Sequence, residues 1–96
     1  MNVVENKIYT VEWTPRANKH LLKLDRKLRD EIAHKVKTYL VLDPRGLGKR
    51  VAEGIWKGSW KYRVRDYRVF YDIYEEEVKI AVFRVKNRKD RDAYDE

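Results

Sequence analysis

Residues 60–74 read WKYRVRDYRVFYDIY, and the alternation inside them decides the fold. Side chains on a strand repeat every two residues. Trp60, Tyr62 and Val64 therefore fall on one side, and Lys61, Arg63 and Arg65 on the other. Arg65-Asp66 reads as a two-residue turn, and Tyr67–Tyr74 as the strand returning from it with Arg68 near the turn. After the acidic run Glu75-Glu76-Glu77, a further strand is expected over Val78–Lys86. Three antiparallel strands then gather Lys61, Arg63 and Arg68 into one basic cluster, whose natural partner carries several negative charges.

Upstream, Ile8–Trp13 (IYTVEW) reads as another strand with Tyr9, Val11 and Trp13 inward. Thr14-Pro15 is a helix start: threonine caps an orphan N–H, and proline at the first helical position has none to lose. That helix sets Ala17, Leu21 and Leu24 on one stripe. Asp25 caps a second helix, expected from Arg26 to about Leu42, in which Leu28, Ile32, Val36 and Leu40 recur every fourth residue. Asp43-Pro44 stops it. Asp43–Gly54 reads as a loop carrying Gly46, Gly48 and Gly54 and the basic trio Arg45, Lys49 and Arg50. The order is β-α-α-β-β-β. It predicts an α+β fold in which two antiparallel helices pack on one face of a mainly antiparallel sheet. Residues 1–96 are expected to form a single domain, with 1–7 a loosely ordered tail.

Charge narrows the partners. The chain has 23 Lys+Arg against 16 Asp+Glu, a net +7, which favours phosphate-rich or acidic partners without choosing among RNA, DNA and protein. It has no cysteine, which excludes disulfides and cysteine-ligated metals, and no metal or cofactor is expected. Neither a membrane-spanning run nor the apolar core of a secretory signal is visible in MNVVENK and beyond, so a cytoplasmic protein without membrane contact is expected. Gly46–Arg50 has phosphate-loop composition without its spacing and reads as a turn. His20 and His34 are expected at surface or rim positions, Trp13 and Trp60 in the core, and Trp56 as a partly exposed anchor under the loop. Arg88 falls just past the last strand, in reach of the hairpin face. Tyr94 reads equally as surface packing or as a ring on which a base stacks.

The element order, the segment Gly58–Tyr71 with its W-x-x-R-x-x-D-Y-R-x-x-Y pattern, and the ending Arg88…Tyr94 together resemble the RelE/ParE toxins of toxin–antitoxin systems, over about residues 8–94. The resemblance implies a RelE-like microbial ribonuclease-type fold and one of two activities. The RelE branch is a metal-independent endoribonuclease (an mRNA interferase) that cuts messenger RNA in the ribosomal A site; the ParE branch inhibits DNA gyrase. Carried over by position, the implied catalytic set is Lys61, Arg63, Arg68, Arg88 and Tyr94, and its completeness favours RelE. Two departures stand out. Lys86-Asn87 precede Arg88, and Arg63 replaces a lysine assigned as general base in some relatives. Arginine does not deprotonate, so Lys61 takes that role or charge stabilisation dominates. The implied chemistry is attack of a ribose 2′-OH on the adjacent phosphate. Implied partners are a RelB-like cognate antitoxin, messenger RNA on the ribosome, and ribosomal RNA. The ribosomal RNA would be gripped by Arg45, Lys49, Arg50, Arg65 and the helix lysines Lys19, Lys23, Lys27, Lys35 and Lys37; no homo-oligomer is required. A non-catalytic RNA- or ribosome-binding module is the remaining alternative.

Overall fold

The structure, a computed structural model, describes residues 7–89. Their order is β1 (Thr10–Trp13), α1 (Pro15–Leu22), α2 (Arg26–Thr38), α3 (Pro44–Leu47), β2 (Lys49–Arg50), β3 (Trp60–Val64), β4 (Tyr67–Tyr74) and β5 (Lys79–Asn87). The strands form one sheet in the order β1-β5-β4-β3-β2. Only β1 runs parallel to its neighbour, so the α+β, mainly antiparallel architecture expected from the sequence is the one observed.

Both long helices start where their caps place them. The Thr14 hydroxyl accepts from the Ala17 N–H at 3.2 Å, and an Asp25 carboxylate oxygen accepts from the Leu28 N–H at 2.9 Å. Their stripes bury Ala17, Leu21, Ile32 and Val36 against Val64, Val69, Tyr71, Ile80, Val82 and Val85 on one face of the sheet. Several boundaries differ from expectation: β5 runs Lys79–Asn87 instead of Val78–Lys86, and α1 ends at Leu22, so Leu24 packs on the core from just beyond it. Strand β1 begins at Thr10, not Ile8, because the Tyr9 N–H turns away to the Val41 carbonyl, at 3.1 Å. The same contact pulls on the end of α2, which closes at Thr38; Leu40–Leu42 tighten into a 3₁₀ turn. Finally, the stretch expected as loop after Asp43 contains α3, capped by Asp43 through the Gly46 N–H at 3.0 Å, and the edge strand β2.

Tyr71 holds this corner to the sheet. Its buried hydroxyl donates to the Pro44 carbonyl at 2.6 Å, and burial pushes the phenol well above its ordinary range. Gly48 passes directly over that hydroxyl: any Cβ there would overlap it and come 3.1 Å from the Pro44 carbonyl. Gly48 is thus fixed by close approach, where the sequence suggested only a flexible turn.

At the other side of the sheet, β5 outruns β1. Thr14 donates to Val82 at 2.9 Å, and beyond that point α1 takes over: His20 Nδ1 accepts the Val85 N–H at 3.2 Å. Between them lies a bulge. Phe70 pairs with Arg84 and Tyr71 with Val82, so the register skips Phe83.

Candidate nucleic-acid interface

The sheet's second face, opposite the helices, carries the basic cluster. Strand alternation aims Lys61 and Arg63 from β3 and Arg68 and Phe70 from β4 to this side. Register then sets them in transverse rows. One row is Arg63, Arg68 and Lys86; the next is Lys49, Lys61, Phe70 and Arg84. Like charges directly opposite each other across strands are destabilising, yet Lys49 faces Lys61 and Arg63 faces Arg68. Lys49, Lys61, Arg63 and Arg68, with Leu47 as a wall, line a cavity of about 310 Å³. An anion seated there relieves the repulsion its walls otherwise bear.

Individual side chains are held to differing degrees. The Arg63 Nε donates to the Arg65 carbonyl at 3.1 Å, which fixes the direction of its fork across the turn. Lys61 and Arg68 are half-buried in the sheet surface, while Lys49 and Arg63 are exposed. Next to the cations, Ser59 donates to the Asp72 carboxylate at 2.5 Å and closes the upper end of the face. Among the described residues, no group of three or more His, Asp or Glu side chains is placed to hold a metal ion.

The other singled-out residues scatter. Arg65, at φ 56° in the turn, points to the helix layer and pairs with Glu31 at 2.7 Å. Arg50 is paired in register with Trp60, with its guanidinium 5.2 Å from the indole centre, on the face away from the cavity. Arg45 is held by Glu75 at 2.8 Å. That contact, with the Tyr9 hydroxyl, also keeps the Glu75 carboxyl below the usual carboxylate range. Of the residues expected to grip RNA (Arg45, Lys49, Arg50, Arg65 and the helix lysines), only Lys49 lines the cavity. The Arg88 N–H donates to the Asp66 carbonyl at 2.6 Å, which ties its backbone beside the β3–β4 turn at the cationic end of the sheet. Tyr94 lies outside the described residues.

Trp56, expected as a partly exposed anchor, is half-buried against Arg84 and Lys86; those two cations and the rings of Phe70 and Phe83 were not singled out from the sequence, though one signal was present. Ile80 and Val82 are two apart, but Val82 and Val85 are three apart, and all of them are buried. That one-residue excess marks the bulge, and the bulge decides which cations of β5 reach the open face.

Comparisons with known proteins agree with this architecture. Residues 11–91 match the family described as the ParE toxin of the type II toxin–antitoxin system, parDE. The chain is similar to a solved structure of the toxin–antitoxin complex RelBE2 from Mycobacterium tuberculosis, with 27% identity and a TM-score of 0.81, over 90% of this chain and 98% of that one. The intact E. coli RelBE toxin–antitoxin complex shares the fold at 24% identity and a TM-score of 0.68, over 85% of this chain and 99% of that one. An archaeal RelE–RelB complex from Pyrococcus horikoshii does so at 18% identity and 0.65, over 85% and 97%. No curated protein matches the sequence.

Proposed function

The chain belongs to the ParE toxin family of type II toxin–antitoxin systems, and we propose that within it the chain is a RelE-type endoribonuclease acting on messenger RNA at the ribosome. The observation that carries this reading is the cavity of about 310 Å³ walled by Lys49, Lys61, Arg63 and Arg68. Two pairs of like charges stand opposite each other in the sheet there, an arrangement that costs stability unless an anion occupies it. The similarity to RelE-containing complexes supports the same branch.

In the proposed reaction a ribose 2′-oxygen bonds to the adjacent phosphorus while the bond from phosphorus to the 5′-oxygen breaks. The products are a 2′,3′-cyclic phosphate and a 5′-hydroxyl. Three tasks follow. The 2′ proton must be accepted, the added charge on the phosphoryl oxygens stabilised, and a proton delivered to the leaving 5′-oxygen. Lys61, set between Lys49 and Phe70 in its row, accepts the 2′ proton or stabilises the charge. The Arg63 and Arg68 forks bind the phosphoryl oxygens. Arg88, tethered beside the turn, serves the leaving group; Tyr94 orients the base. With only weak acid–base groups, in-line geometry has to be supplied by the substrate, and a codon held on the ribosome supplies it. A cognate RelB-like antitoxin is the proposed partner that silences the chain, and the cytoplasm, where ribosomes are, its place of action.

The test is mapping of transcript 5′ ends after brief expression. Cleavage within coding sequences is expected for the wild type and none for Arg68→Ala or Lys61→Ala, with growth arrest lost and the circular dichroism spectrum unchanged. The match to a family named for ParE favours a second reading, inhibition of DNA gyrase. Intact transcripts together with defective supercoiling would select it and discard the nuclease.

A further inference from the structure

Beside the cavity the open face is not uniformly charged. The chain between β2 and β3 folds back over the sheet, closed by the Val51 N–H to the Ser59 carbonyl at 2.8 Å and the Gly58 N–H to the Val51 carbonyl at 3.0 Å. It brings Trp56 down onto Phe70, with ring centres 4.7 Å apart, and onto Phe83 at 5.7 Å. Phe83 reaches this group because of the bulge in β5, so the ridge depends on a local irregularity of the sheet. Cations flank it on both sides. Lys61 lies next to Phe70 in the β3–β4 register. Across the ridge the Arg84 guanidinium lies over the indole at 4.9 Å, with the Lys86 ammonium 6.0 Å from the same ring.

We propose that Trp56, packed on Phe70 and Phe83 and flanked by Arg84, is a stacking platform for one nucleobase of single-stranded RNA, adjoining the phosphate cavity. The assignment rests on the nuclease reading for its substrate class and extends it by a binding subsite. Charge and spacing select the occupant. Lys61 on β3 and Arg84 on β5 are separated by two inter-strand steps, about 10 Å, with the aromatic ridge between them. A nucleotide places flat aromatic surface between phosphates, and indole and guanidinium planes both stack on bases without reading their identity. An apolar protein segment would instead bring no charge to meet the cations on either side. Duplex nucleic acid is disfavoured, since its bases are already stacked and not available to the ring.

The probe is a short 2′-O-methyl oligoribonucleotide, which cannot supply the attacking hydroxyl and so reports binding alone. Each position in turn is replaced by an abasic unit. For the wild-type chain at low salt, one position is expected to weaken binding about tenfold when abasic, the size of one lost base–aromatic stack. In Trp56→Leu that same replacement should cost less than twofold, while Trp56→Phe retains most of the sensitivity. Independently, binding of the intact probe should quench wild-type tryptophan emission and leave Trp56→Phe emission nearly unchanged, which keeps the test open if Trp56→Leu does not fold. Equal penalties at every position, a full penalty surviving in Trp56→Leu, or no binding of the wild type would each overturn the platform. Failure of the nuclease reading registers elsewhere, as coding transcripts left intact after expression in cells, and does not alter these outcomes.

Discussion

At the scale of single residues, the telling group is one that does no proposed chemistry. His20 Nδ1 accepts the Val85 N–H at 3.2 Å, so the ring is neutral with its proton on the other nitrogen. Burial pushes its pKa below the ordinary histidine value, and the neighbouring charges of Arg84, Lys23, Arg16 and Lys86 push in the same direction. Protonation would put a hydrogen on Nδ1 and end the bond to β5. Because the folded state binds this proton less readily than the unfolded chain, its contribution is complete above the unfolded value, about pH 6.5, and is lost as pH falls below it. Urea midpoints at pH 8 and pH 5.5 should therefore differ less in His20→Gln than in the wild type; equal differences would remove His20 from the account. The strand register made Lys61, Arg63 and Arg68 legible as one cluster, because a period of two needs no tertiary information. Arg65 shows where that stops: it shares the parity of Lys61 and Arg63, but its positive φ in the turn sends it to Glu31 on α2.

Among the elements, those with caps and a sustained period could be read directly, and those without could not. Thr14-Pro15 and Asp25 fixed the starts of α1 and α2, whereas α3 and β2 are too short for any periodicity and exist through contacts made elsewhere. Their anchor is Tyr71, eight residues of β4 being held at mid-strand by its bond to the Pro44 carbonyl at 2.6 Å. Gly48 must lack a side chain for that bond to form. Gly48→Ala is expected to destabilise the fold by about 1–3 kcal/mol, the usual cost of forcing an extra carbon into a packed site, read as a lower urea midpoint at unchanged slope. The loss should also displace Lys49, the residue after it, from the cavity wall. Adding Tyr71→Phe tests the coupling: removing the hydroxyl opens the space, so the double variant should lose less than the two single losses added together. Full additivity would show that the two residues do not act on each other.

Over the whole molecule, net charge says that a polyanion is welcome without saying where. The +7 of the chain is an excess of 23 basic over 16 acidic side chains, and several of those bases are neutralised locally: Arg45 by Glu75, Arg65 by Glu31, Arg26 by Asp30. If binding followed net charge, removing any one cation would weaken it alike. If binding is local, only the cavity wall and the cations flanking the aromatic ridge matter, since exposed charges further apart than about 10 Å are screened from each other at ordinary ionic strength. Counted as about one released counterion each, the four cavity cations Lys49, Lys61, Arg63 and Arg68 contribute about −3 to the slope of log affinity against log salt for single-stranded RNA. Lys49→Gln should reduce the steepness of that slope by about 0.7. Arg65→Asn removes the same formal charge at a position where asparagine tolerates the left-handed backbone, and should leave the slope unchanged. Equal effects of the two substitutions would return the molecule to a diffusely basic protein, for which the pairing of like charges across β2, β3 and β4 has no ligand to explain it.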